Sequence, residues 1–142
     1  MVLKFRCSLF TTNNMHASLI SFCIRYYDYA YFQHTIKDYV PFDKKVMIAG
    51  TGNSNMPGDM VDDGYKNIVC ADLSRVVMDQ LKYRYRDKPE ISFFQGTMTD
   101  TDLPAKSVYA IIDKALFDTL LCTQTGPVTI SQYVQEVVSK NK

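Results

Sequence analysis

Tryptophan is missing from this chain, and its 142 residues include two histidines, four cysteines, five prolines and six glycines. Cys7, Cys23, Cys70 and Cys122 stand far apart and form no C-x-x-C pair, while His16 and His34 complete no zinc set. The pattern therefore excludes a zinc module and a disulfide-stapled scaffold; the cysteines read as reduced thiols, which fits an intracellular compartment. No apolar run approaches the ~20 residues that a helical membrane span needs. Neither charge sign dominates: 16 basic residues face 15 acidic ones for a net charge of +1, so nothing points to nucleic acid or a membrane surface as the main partner. What is present is apolar, at 46% of residues, enough for one domain around one core.

Two of the glycines fall in the stretch that organises the rest. Val46-Met47-Ile48-Ala49 is a short apolar run that reads as a buried parallel strand, and it breaks into Gly50-Thr51-Gly52-Asn53-Ser54. A strand ending in such a turn offers bare backbone to a nucleotide-like ligand. The dinucleotide fingerprint asks for a third glycine, and here Asn55 takes that place, so a plain strand-to-helix turn fits these residues as well. A second apolar run, Asn67 to Ala71, ends in Asp72, about twenty residues past the glycines, where an acid can accept the hydroxyls of a ribose. Together the two features indicate an adenosine-type cofactor without choosing between a dinucleotide and S-adenosylmethionine.

Around this centre the pattern alternates strand and helix. Tyrosine-rich residues 25–40 predict a helix covering the sheet. Pro57 suits a first helical turn and Gly64 a helix stop, so the first crossover helix opens at Met56 and closes at Asp62-Asp63-Gly64. Ser74 can cap the next helix, with Val77, Leu81 and Tyr85 toward the sheet; Ile91–Phe94 is a third strand and Val108–Ile112 a fourth, ending in Asp113. Helices then start near Phe117 and span Ile130 to Val138, on one apolar face. Such alternation predicts a parallel sheet with right-handed crossovers. Residues 1–24 show no period and are expected to form an N-terminal extension, ahead of a partial domain over 25–142. Lys4, Arg6 and Arg25 precede the first acid, Asp28, which is compatible with a mitochondrial leader, though an ordinary extension fits better. The fourth strand is apolar almost throughout and expects neighbours on both sides; with no further strand downstream it is expected to be a free edge of a truncated domain.

From about Arg25 to Cys122, roughly two thirds of the chain, the sequence resembles class I S-adenosylmethionine-dependent methyltransferases. It is similar to the methyltransferase-like branch that contains lysine methyltransferases of translation elongation factor 1A. The residues that carry this are Val46–Ser54, Asp59–Tyr65, Asp72–Val77 and Ile111–Cys122, with the Gly-x-Gly-Asn-Ser turn and the Asp-Lys-x-x-x-Asp-x-Leu segment the most specific. The resemblance implies a Rossmann-like three-layer α/β sandwich, truncated after strand four and the helices that follow. It implies that Gly50, Gly52, Asn53 and Ser54 form the cofactor turn, that Asp72 holds the ribose with Leu73 beside the adenine, and that Lys114 lies near the cofactor and the acceptor entrance. Tyr29 lies where the family has aromatics near the cofactor, although core packing of the covering helix explains it better. Thr97 replaces the acid that would hold the adenine amino group, with Met98 still the apolar neighbour. Ala115 replaces a glycine, and the tryptophan-containing N-terminal lid is missing.

Methyl transfer from a sulfonium needs alignment and exclusion of water more than covalent help. A lysine acceptor must also lose a proton, and Asp113 is the candidate for taking it; the same acid could equally pair with Lys114 or cap the next helix. The expected activity is protein-lysine N-methylation with S-adenosyl-L-methionine, on a protein substrate such as a translation elongation factor. The alternative is an inactive methyltransferase-like fragment serving as a binding or scaffold module. No metal, nucleic-acid or membrane partner is expected, and the expected location is the cytoplasm or, alternatively, the mitochondrion. The Lys82–Lys88 run interleaves basic residues with Tyr83 and Tyr85, a pattern more typical of a solvated helix end than of a nucleic-acid surface.

Overall fold

A computed structural model describes residues 8–11, 18–22 and 28–140. In chain order the elements are β1 (Ser8–Thr11), β2 (Ser18–Phe22), α1 (Tyr29–Tyr39), β3 (Lys45–Ala49), α2 (Met56–Asp62) and β4 (Asn67–Asp72). They continue with α3 (Arg75–Arg84), β5 (Ile91–Gln95), β6 (Ala110–Lys114), α4 (Leu116–Leu121) and α5 (Gly126–Lys140). One sheet runs in the order β1-β2-β6-β3-β4-β5, parallel throughout except for β1, which pairs antiparallel with β2.

The central strands β3, β4 and β6 are apolar on both faces, and the helices explain why. On one face Val46, Ile48, Ile68, Cys70, Ala110 and Ile112 pack under Ile36 of α1, Met56 and Met60 of α2, and Met78 and Leu81 of α3. On the other, Met47, Ala49, Val69, Ala71 and Ile111 pack against Tyr133 and Val137 of α5. Removing this much apolar surface from water is the main stabilising term of such a three-layer domain. Local chemistry agrees with it: Pro57 stands in the first turn of α2, the Ser74 hydroxyl accepts from Val77 N at 3.4 Å to cap α3, and Gly64 takes a φ of +116° where the chain leaves α2.

Three expectations change. Residues 1–24, given no structure from sequence, contribute β1 and β2 to the sheet. As a result β6 is not a free edge: it is flanked by β3 on one side and by β2 on the other, with Ile111 opposite both Met47 and Leu19. The fourth predicted strand also starts later than Val108. The amides of Val108 and Tyr109 donate to Lys140 O at 3.1 Å and Lys45 O at 2.8 Å, so these residues tie the sheet to the end of α5 before the regular ladder begins at Ala110. Residues 25–27 of the predicted covering helix, like Lys4, Arg6 and Arg25 of the leader-like segment, lie outside the described residues. Among the described residues no helix is long and apolar enough to cross a membrane, and no group of His, Cys, Asp or Glu is arranged to hold a metal.

Candidate functional site

The carboxyl ends of β3 and β4 are stitched together by the glycine turn. Ala71 O accepts from Gly50 N at 2.9 Å and from Thr51 N at 3.1 Å. The buried Thr51 hydroxyl donates to Ile48 O at 2.8 Å and accepts from Ala71 N at 3.1 Å, so one side chain bridges both strands. Gly50 and Gly52 have φ of +68° and +53°, a left-handed backbone that glycine adopts without strain. Their surroundings differ: a Cβ on Gly50 would lie 2.9 Å from Leu116 Cβ, whereas one on Gly52 would meet nothing within 4 Å.

Asp72 closes this unit. Its Oδ2 accepts from Gly52 N at 2.9 Å and its Oδ1 from Ser74 N at 2.9 Å, so the acid and the second glycine, twenty residues apart, are directly bonded. Each carboxylate oxygen has a second lone pair, which leaves Asp72 able to accept two further hydrogen bonds from a ligand.

Beside them opens a hollow of ≈ 110 Å³, bounded by the Gly50 turn, Asp72 and Leu73, the Gly96–Thr99 loop after β5, and Leu116 and Leu120 of α4. Met98 is buried and supplies an apolar floor, while Leu73 is 70% exposed and forms part of the rim. Thr97 is exposed; its hydroxyl is 2.7 Å from that of Thr99 and accepts from Thr99 N at 3.2 Å. The structure thus brings together Gly50, Asp72, Leu73, Thr97 and Met98, with Gly52 bonded to Asp72 next to them. Asn53 and Ser54 do not line the hollow. Their carbonyls face the end of α3, where Arg84 Nη1 reaches Asn53 O at 3.1 Å and Tyr85 OH reaches Ser54 O at 3.2 Å.

Three further predicted site residues lie outside the hollow's lining. Tyr29 is buried in the core under α1, and its hydroxyl donates to Asp63 Oδ2 at 2.6 Å, at the end of α2. It packs α1 onto α2 and does not reach the hollow; core packing explains it. Asp113 is 1% exposed. Its carboxylate accepts from Leu116 N at 2.9 Å, Phe117 N at 3.1 Å and Tyr133 OH at 2.6 Å, which caps α4 and anchors α5. Burial raises its pKa above the ordinary carboxylate value, against the lowering effect of Tyr133 and the two amides. A carboxyl so enclosed has no path to an acceptor amine, so the capping role fits it and the proton-accepting role does not. Lys114, next in the chain, is half-buried at the end of β6 and outside the hollow's lining; desolvation lowers its pKa, opposed by the charge of Asp28.

Sequence reading missed Thr51, Gly96, Leu116, Leu120 and Tyr133. Thr51 sat in plain view between two glycines, but its bonds to β4 depend on a neighbour the sequence does not name. Tyr133 carried only an apolar-face signal.

No protein-family model matches the chain. The mouse eEF1A lysine and N-terminal methyltransferase is 35% identical over 95 residues, covering 66% of this chain and 14% of its own length. A solved S-adenosylmethionine-dependent methyltransferase from Methanosarcina mazei superposes with a TM-score of 0.65 at 16% identity, over 76% of this chain and 52% of its own. The chain belongs to the class I S-adenosylmethionine-dependent methyltransferases. The methyltransferase fold also matches Haemonchus contortus phosphoethanolamine N-methyltransferase 1, solved with phosphoethanolamine and S-adenosylhomocysteine, at a TM-score of 0.60 and 14% identity, over 75% of this chain and 22% of that one. The chain spans about one seventh of the mouse relative's length.

The residues present fit the methyltransferase cofactor. Gly52 leaves open space where a side chain would stand, Asp72 retains lone pairs for two hydroxyls, and Met98 offers an apolar surface to a ring. The hollow is smaller than the ~300 Å³ at which drug-sized pockets begin, so it suits one end of such a ligand, with the remainder along the open turn.

Proposed function

We propose that this chain binds S-adenosyl-L-methionine and serves N-methylation of a lysine on a protein, with a translation elongation factor as the substrate to test first. The observation that carries the cofactor reading is the Gly52 N to Asp72 Oδ2 bond of 2.9 Å at the mouth of the hollow. The likeness to the eEF1A methyltransferases supports the protein substrate. Bound there, the cofactor would supply an electrophilic methyl on a sulfonium. The chain's contribution is positional: Asp72 holds the ribose, Gly50 and Gly52 let the backbone approach, and Leu73, Met98, Leu116 and Leu120 keep water out. An elongation-factor substrate implies the cytoplasm as the working compartment.

Calorimetry with S-adenosylhomocysteine tests the cofactor reading. Asp72→Ala should weaken binding by roughly tenfold or more, because charge-assisted hydrogen bonds of about 1.5–3 kcal/mol are lost. Unchanged affinity would show that the ribose site is elsewhere. Incubation with labelled cofactor and purified elongation factor 1A tests the substrate, with incorporation into lysine as the expected result.

A second reading, binding of the cofactor without transfer, is favoured by the lining itself, in which Asp72 is the one titratable side chain. Cofactor binding without label transfer to protein or lysate would decide for it.

A further inference from the structure

The turn that forms the cofactor site is held from two sides, and only one belongs to the motif. On the β4 side, Asp72 and Ala71 fix Gly50, Thr51 and Gly52. Beyond Gly52 the backbone is held from the end of α3. Arg84 Nη1 stands 3.1 Å from Asn53 O, 3.2 Å from Asn55 Oδ1 and 3.5 Å from Ser54 O. Tyr85 OH donates to Ser54 O at 3.2 Å, and the Arg84 guanidinium lies 5.9 Å from the Tyr85 ring centre. The Tyr85 ring keeps its place because residue 58 is glycine: a Cβ there would come within 2.9 Å of Tyr85 Cε1.

This arrangement has more than a packing role. Asn53 and Asn55 are exposed, as is Arg84, so these bonds bury little apolar surface and add little to global stability. What they do fix is the direction of successive peptide planes. A trans peptide points its carbonyl and its N–H to opposite sides, so drawing the Asn53 and Ser54 carbonyls toward Arg84 sets where the following amides point. Gly52 is the hinge between the two anchors, with open space on its side-chain side. Locally one bond, Ser54 N to Thr51 O at 3.3 Å, closes the turn across this left-handed glycine, and the anchors on either side add to that restraint.

We propose that Arg84, supported by Tyr85 on the Gly58 seat, is a positioning residue that holds the Gly52–Asn55 turn in the conformation that accepts the cofactor. The inference rests on the cofactor reading above and extends it to residues outside the glycine motif. It also accounts for the basic and aromatic alternation at the end of α3, which resembles a nucleic-acid surface in sequence: two of its members face the turn.

The test measures S-adenosylhomocysteine affinity by calorimetry, thermal unfolding, and amide hydrogen exchange over residues 52–55, for wild type, Arg84→Gln, Arg84→Lys, Tyr85→Phe and Asp72→Ala. Arg84→Gln should bind roughly tenfold more weakly, as loss of a charged donor implies, with an unfolding temperature near that of wild type. The 52–55 amides should exchange faster in the same variant. Arg84→Lys should recover part of the affinity, and Tyr85→Phe should lose less than Arg84→Gln. If Arg84→Gln binds like wild type while Asp72→Ala does not, the positioning role is overturned and the cofactor reading stands. If affinity falls only in proportion to a fall in unfolding temperature, with turn exchange unchanged, Arg84 is a stability residue and the proposal fails. If wild type itself binds no S-adenosylhomocysteine, both fail together.

Discussion

Two aspartates stand at the carboxyl ends of the strands on either side of β3, and they have opposite fates. Asp72 ends β4, is only partly covered and lines the hollow; it spends one lone pair of each oxygen on a backbone amide. Asp113 sits within β6, opposite Ala49, and gives its oxygens to Leu116, Phe117 and Tyr133 with 1% of its surface exposed. Both follow an apolar run and both serve the helix that comes next. The difference comes from α5, which covers the second acid with a tyrosine and leaves nothing comparable over the first. A strand-end carboxylate thus stays accessible or is locked into the structure according to what a distant helix puts over it.

Removing Asp113 should have the largest effect on stability. Asp113→Ala orphans the Tyr133 hydroxyl and the Leu116 and Phe117 amides inside the protein, and each unsatisfied buried group costs about 1–3 kcal/mol. Partial relaxation should leave a net loss of about 3 kcal/mol by urea unfolding, against less than about 1 kcal/mol for Asp72→Ala, whose amides can turn to water. Comparable losses at the two sites would erase the contrast. The acid also gives a pH dependence. Unfolded, it titrates near the ordinary 3.8; folded, burial holds its pKa higher. Between those values the native state keeps a proton the unfolded chain has released, so its stabilisation is complete below 3.8 and is lost as pH rises through the folded value. Asp113→Asn should flatten that part of the wild-type stability curve, and curves that stay parallel across the window would show that the group does not titrate there.

The two glycines of the turn repeat the comparison at close range. Gly50→Ala combines a left-handed φ with a Cβ 2.9 Å from Leu116 Cβ, and should cost about 2–3 kcal/mol and displace α4 from the hollow. Gly52→Ala meets only the backbone penalty, about 1 kcal/mol, since its side-chain position is open. Its effect should instead appear in cofactor affinity, where the new methyl occupies the space the ligand needs. Equal destabilisation by the two substitutions would mean that the open side of Gly52 is not open in solution.

How much of this was legible beforehand follows from the range of the interactions. From Lys45 to Gln95 the sequence pattern and the structure agree, because β3 and β4 carry continuous apolar runs, β5 keeps Ile91, Phe93 and Phe94, and each helix carries its own punctuation in Pro57, Gly64 and Ser74. The turn and Asp72 were visible because local glycines and a fixed spacing encode them. β1 and β2 were not: a parallel pairing of Ser18–Phe22 with Ala110–Lys114 leaves no local period to read. The same blindness made β6 look like an edge. It also left Asp113 open between two uses, since the choice rested on Tyr133, and it hid Arg84, whose partners are the carbonyls of a turn thirty residues earlier.

The smallest expected effect concerns Ala115, which lies between the two regions. Its φ of 62° and ψ of 14° are left-handed, an unfavourable conformation for any residue with a Cβ. Relief of that conformation is worth about 1–2 kcal/mol, and the greater freedom of glycine in the unfolded chain takes back about 0.4–1 kcal/mol. Ala115→Gly should therefore raise stability by about 0.5–1 kcal/mol in urea unfolding. Leu116, which lines the hollow and meets Gly50, follows directly, so the substitution also asks whether the strained alanine holds that wall in place. The wall has two other anchors in the Asp113 cap and the Ala115 O to Thr119 N bond of 3.2 Å, which glycine keeps. Cofactor affinity should stay the same while stability rises; a fall in affinity would show that the strain belongs to the site, as strained backbone at binding sites often does.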